Sequence, residues 1–157
     1  MNREMIAQQR ARKALERATE RQKDEDLWSQ YAVAVKGFPA TILMNGLGQT
    51  FALALAGGGE TAAGRLAVAA DVYRWLSSWK DNPMSLPVHS GDRQAVIEMV
   101  KLLTNKATQQ DYLILQAESL NFLTLLKTFA AGLSKTSEST EETSGGTNDP
   151  LESGARP

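Results

Sequence analysis

Between Lys36 and Glu60 the chain reads "GFPATILMNGLGQTFALALAGGG", residues 37–59, without one charged side chain, although charged residues make up 22% of the whole sequence. Three structures can carry such a run. It can cross a bilayer, which takes about 20 apolar residues. It can place a glycine loop after a short strand to cradle a phosphate. Or it can lie in the middle of a helical bundle, where a helix apolar nearly all round is buried.

A membrane span requires more hydrophobicity than this stretch has. Pro39, Thr41, Asn45, Gln49, Thr50 and several glycines dilute it, and no aromatic belt or basic cluster marks its ends. The phosphate loop rests on "ATILMNGLGQTF", which imitates a strand followed by G-x-G-x-x-G, with Asp71 some way beyond as a ribose-binding acid. The third glycine position is occupied by Phe51, Asp71 belongs to an amphipathic helical pattern, and no βαβ alternation surrounds the run. A central helix covered on most sides remains. Gly46 and Gly48 each cost a helix about 1 kcal/mol relative to alanine. They are expected either to admit another backbone closely or to mark a kink at "NGLG".

The rest of the chain supports an all-α fold, a compact bundle of about six helices. Residues 2–23 are rich in Ala, Arg, Lys, Glu and Gln, which favour helix. "DED" at 24–26 offers an N-cap to a second helix with Trp28, Tyr31, Ala32 and Val35 on one face, which Gly37 is expected to stop. Pro39 suits the first turn of a third, where Ile42, Leu43, Leu47, Phe51 and Leu55 recur at helical spacing until three glycines end it. Leu66, Ala69, Val72, Tyr73, Leu76 and Trp79 form the stripe of a fourth. After a loop with two prolines come a fifth helix, over about 92–105 with Val96, Val100 and Leu103 inward, and a sixth, over about 108–133. The sixth opens on Thr108 and Asp111, close to a capping box, and its apolar face is Tyr112, Leu115, Phe122, Leu125, Phe129 and Leu133. The boundaries follow as a helical domain over 1–133 and a tail over 134–157. The tail holds five acidic and two basic residues with almost no apolar ones, and is expected to be disordered.

Chemistry is excluded more readily than assigned. The chain has no cysteine and only His89 as an imidazole, so thiolate or histidine metal sites are ruled out, and neither a metal nor a cofactor is expected. The basic N-terminus is too interrupted for a signal peptide, which places the protein in the cytoplasm by default. His89, Ser90 and Asp92 are adjacent in sequence and lack an oxyanion-hole motif, which makes them loop residues rather than a triad. Asp24, Glu25 and Asp26 do not match a calcium loop. Trp75 and Trp79 could stack on bases, but core packing is the plainer use. No catalytic residue emerges.

One constellation is electrostatic. Residues 1–23 carry seven basic side chains against three acidic ones. On a helical wheel, Arg3, Arg10, Lys13, Arg17 and Arg21 fall within an arc of about 80°. Ala7, Ala11, Ala14, Leu15 and Ala18 lie beside it as a narrow face for packing. The stripe is either a solvated face or a ladder for phosphates.

Three segments carry a resemblance. "YAVAVKGFPATILMNGLGQTFALAL", "VYRWLSSW" and "YLILQAESLNFLTLLKTFAAGL" are similar to the small helical subunit of type III-B CRISPR effector complexes, the Cmr family, over most of residues 5–133. The third segment resembles the family's E-x-L-x-F-L-x-W-L-K-x-F-A-x-A pattern, with Leu125 where tryptophan is frequent. The resemblance implies an all-α protein without enzymatic activity that serves in antiviral defence. It would stack in several copies beside the backbone and large subunits and brace the duplex of guide RNA and target RNA. Lys36 and Lys127, at family motif positions, become candidate contacts to RNA or to neighbouring subunits, joining the five cations of the stripe as candidate RNA-binding residues. The competing expectation is a helical adaptor that binds only protein.

Overall fold

A computed structural model of the chain describes residues 3–144, with side chains from Met5 to Lys135. It contains helices α1 (Arg3–Gln22), α2 (Glu25–Ala56), α3 (Ala62–Ser78), α4 (Asp92–Asn105) and α5 (Gln109–Ser144), and no strand among the described residues. Because α2 is broken at Gly46, six helical segments form the bundle. The disorder expected of the tail lies outside the described residues for 145–157. The backbone of α5 continues to Ser144 rather than stopping near Leu133.

Local signals account for most boundaries. Asp24 caps α2 by accepting from the Leu27 amide at 3.1 Å. Thr108 and Asp111 form a reciprocal capping box, each backbone amide donating to the other's side chain at 3.1 Å. Gly57, Gly58 and Gly59 all take positive φ and end α2, as the triple glycine suggests.

The expected stop at Gly37 is not there. The helix runs through Gly37 and Pro39, and the break comes nine residues later, at Gly46 with φ 85° and ψ 164°. Proline removes one amide donor, which a packed helix tolerates when its neighbours hold it; Phe38 beside it is buried. The break frees amides at the start of the second arm, and α5 satisfies them. Tyr112 Oη accepts from the Gly48 amide at 2.7 Å, and Gln116 Oε1 accepts from the Leu47 amide at 3.0 Å. A Cβ on Gly46 would sit 2.8 Å from the Tyr112 hydroxyl. The kink expected at "NGLG" is therefore present, whereas the close approach is made by the Tyr112 side chain and not by another backbone.

α2 contacts all four other helices, so it is central. It is not covered on most sides. Ile42, Leu47, Phe51 and Ala54 are buried, yet Leu43 and Met44 on its outer side are 70% and 82% exposed. Burial explains one face of the uncharged stretch; the other is open. Among the described residues no helix is long and apolar enough to cross a membrane. α3 packs against α2 at close range, where Gly64 lies against the Gln30 backbone with no room for a Cβ. Trp75 stacks on Phe122 in the core, 6.1 Å between ring centroids, and Trp79 packs at its edge.

Candidate nucleic-acid interface

Helix α1 turns most of its cationic stripe inward. Ala14 and Ala18 are fully buried, whereas Leu15 and Ala7, also expected on the packing face, are exposed. The docked face is centred on the arginines, with the small alanines letting the helix approach. Arg10 makes a two-pronged bond to Glu118 on α5, Nε to Oε1 at 2.6 Å and Nη2 to Oε2 at 3.0 Å. Glu118, 6% exposed, also accepts from the Trp75 indole at 2.9 Å, so one carboxylate ties α1, α3 and α5 together.

A second cluster surrounds Asp71 on α3, which is fully buried. Arg17 donates to it at 2.8 Å, Arg21 through two nitrogens at 2.9 Å, Arg74 at 3.0 Å and the Tyr31 hydroxyl at 2.8 Å. Arg21 and Arg74 also reach Asp92 at the start of α4, both at 2.9 Å. Burial opposes the charge of Arg21, but bonds to Asp71 and Asp92 outweigh it and raise its pKa. Burial likewise opposes ionisation of Asp92, yet hydrogen bonds and charge from Arg21 and Arg74 hold its carboxyl below the ordinary 3.8. Tyr31 is pushed up by burial and by the neighbouring Asp71 charge.

Arg10, Arg17 and Arg21 thus spend their charge inside the fold, and as placed they do not form an open ladder for phosphates. Lys13 pairs with Glu16 at 3.5 Å on the surface. The side chain of Arg3 lies outside the described residues. What sequence reasoning missed were the carboxylate partners. Asp71 and Glu118 each stand alone in an apolar helical stretch, and a lone acid there signals a buried pair. The His89, Ser90 and Asp92 group forms no relay. Asp92 is held by two arginines, the Ser90 carbonyl accepts from Arg74 at 2.7 Å, and His89 Nε2 faces Glu98 at 3.8 Å. Among the described residues no group of three or more His, Cys, Asp or Glu is arranged to hold a metal ion.

Lys36 and Lys127 have a different environment. They come from α2 and α5 and meet in a cleft of about 250 Å³ lined by Ala32, Lys36, Lys127, Ala130, Ala131, Ser134 and Lys135. Among the described residues no acidic side chain lines it, and both lysines are exposed. The rest of the lining, Ala32, Ala130, Ala131 and Ser134, carries no charge. Lys135 joins the two lysines from two turns further along α5, a residue the sequence reading assigned to the tail. A larger, apolar groove of about 380 Å³ runs between the arms of α2 and the start of α3, flanked by exposed Val33 and Leu53.

A search of the curated proteins finds no match for this sequence. A family model described as CRISPR-associated protein (Cas_Cmr5) matches residues 6–133. The match runs from the arginine-bearing α1 to residue 133 in α5 and takes in both Lys36 and Lys127. The chain therefore belongs to the Cas_Cmr5 family, the small subunit of type III-B CRISPR systems.

Proposed function

We propose that this small subunit is a non-catalytic brace for the duplex of guide RNA and target RNA in a type III-B effector complex. It stacks in several copies beside the backbone and large subunits, and its lysine cleft touches the RNA phosphates. The observation that carries this reading is the convergence of Lys36 and Lys127, from helices far apart in sequence, on one cleft that no acidic side chain lines among the described residues. Lysines so placed act as point charges that position a sugar-phosphate backbone without reading bases. Specificity would come from pairing between guide and target.

The test is Lys36→Glu with Lys127→Glu in the assembled complex. Target RNA capture is expected to weaken, and the slope of log affinity against log salt to fall by about 1.4–1.8 per copy, since each phosphate contact contributes about 0.7–0.9. Purified protein is expected to leave RNA uncut. The competing reading, an adaptor that touches only protein, draws on the apolar groove beside Val33 and Leu53. It gains if the lysine variants leave the salt slope unchanged while Leu53→Asp abolishes assembly.

A further inference from the structure

The two arms of α2 fold back on each other. Phe38 and Phe51 would lie about 20 Å apart along an unbroken helix, yet their rings meet edge to face at 6.4 Å between centroids. The apolar groove of about 380 Å³ lies between the arms. Thr41 and Thr50 line it toward the break, and Val33 and Gly57 toward the far end, where Thr61 and Arg65 join them. The Thr41 and Thr50 hydroxyls donate to the Gly37 and Gly46 carbonyls, so neither needs a partner from the groove. Two features are left unexplained by the chain's own packing. Arg65 donates to the Thr61 hydroxyl at 2.7 Å and the Gly58 carbonyl at 2.6 Å, and among the described residues it meets no carboxylate. Arg10, Arg17, Arg21 and Arg74 each have one. Gly37, on the groove wall, is helical, and a Cβ there would meet no packed neighbour within 4 Å. Glycine weakens a helix relative to alanine, so the fold accepts that loss without using the space it leaves.

We propose that the groove of α2 receives an amphipathic helix of a different protein subunit, with apolar side chains against Val33, Phe38, Leu53 and Ala54 and a carboxylate on Arg65. Charge complementarity selects the carboxylate. Two of the five N–H groups of Arg65 are used, and both bonds fix its position, so three donors stand ready for a planar acid. The groove suits a helix: from Val33 to Thr41 it runs about 12 Å, roughly two turns, which apolar side chains at helical spacing fill. A second copy of this chain does not match it. Outside the groove, the large apolar side chains that its described helices expose are Met5, Leu15, Leu43, Met44 and Leu113. None of them has Asp or Glu three, four, seven or eight residues away, the intervals that would bring a carboxylate to the same face. The proposal is independent of the lysine cleft, since docking here requires nothing of Lys36 or Lys127.

The experiment uses the purified effector complex assembled with Arg65→Lys, which keeps the charge. Carbodiimide joins an ammonium to a carboxylate only where the two already touch, and mass spectrometry locates the linked residues. The new ammonium at position 65 is expected to link to an Asp or Glu of another subunit, in a stretch with apolar residues at three- or four-residue spacing. Arg65→Glu and Gly37→Leu are expected to enter the complex at least about tenfold less well than wild type in direct competition. Isolated Arg65→Glu should melt within about 2 °C of wild type, and Gly37→Leu at or above it, because leucine favours helix over glycine. Links from position 65 only within its own chain, or none, overturn the proposal. Links only between copies of this chain overturn the choice of a different subunit. Entry of both variants at the wild-type level overturns it as well. If Arg65→Glu melts lower than expected, its poor entry no longer counts and the link from Arg65→Lys decides. Lys36 and Lys127 are untouched in every variant, so the RNA-contact reading stands or falls separately.

Discussion

Replacing Asp71 by alanine tests whether α1 is held by charge. The carboxylate is fully buried and accepts five hydrogen bonds, from Arg17, Arg21 twice, Arg74 and Tyr31. Its removal leaves three guanidinium groups, none of them more than 15% exposed, with Asp92 as the carboxylate for Arg21 and Arg74 and Arg17 stripped of its carboxylate partner. Deleting one partner of a buried pair costs about 3–5 kcal/mol, because the surviving charges keep their desolvation penalty and lose their compensation. Unfolding entropy of about 2.1 cal/mol/K per residue over the helical body amounts to roughly 0.3 kcal/mol per degree. Asp71→Ala is then expected to lower Tm by about 10–17 °C. Asp71→Asn, which keeps the shape and part of the bonding, should fall between it and the wild type. Melts followed by circular dichroism at 222 nm, or by calorimetry, provide the measurement. A loss under about 1 kcal/mol for Asp71→Ala would refute the reasoning, since it would mean the arginines find water as readily as surface pairs do.

Gly64→Ala is expected to destabilise by about 1–3 kcal/mol, since its Cβ would sit 2.4 Å from the Gln30 backbone and α3 would have to move off α2; an unchanged urea midpoint would contradict that. Asp92 has a folded pKa held below 3.8, so its contribution is fully present above that ordinary value and is lost as pH falls through the lower folded one. Asp92→Asn should therefore flatten the fall of stability from about pH 5 downward while costing stability at neutral pH, which urea titrations across pH would read.

Helix content, the capping of α2 by Asp24, the Thr108 and Asp111 box and the glycine stop at residues 57–59 were legible in the sequence because each depends on neighbours within a few positions. Family membership was legible for a related reason: NGLGQ and the E-x-L-x-F-L run are local strings. What those strings do was not legible. The motif glycines yield a break whose freed amides are met by Tyr112 and Gln116 from α5, and the motif glutamate, Glu118, secures Arg10 and Trp75. The cationic stripe of α1 looked the same on a helical wheel whether it faced solvent or core. A wheel gives the angle between side chains on one helix and says nothing of which carboxylates the other helices bring to it. Only packing placed Asp71 and Glu118 under the arginines and turned a candidate RNA surface into an internal seam. The same packing brought Lys36 and Lys127 into one cleft from separate helices, where distance along the chain had hidden them from each other. Charge type and helical period are properties of the sequence, whereas the sign of the field at a surface depends on which charges are paired, and that is settled only when the helices meet.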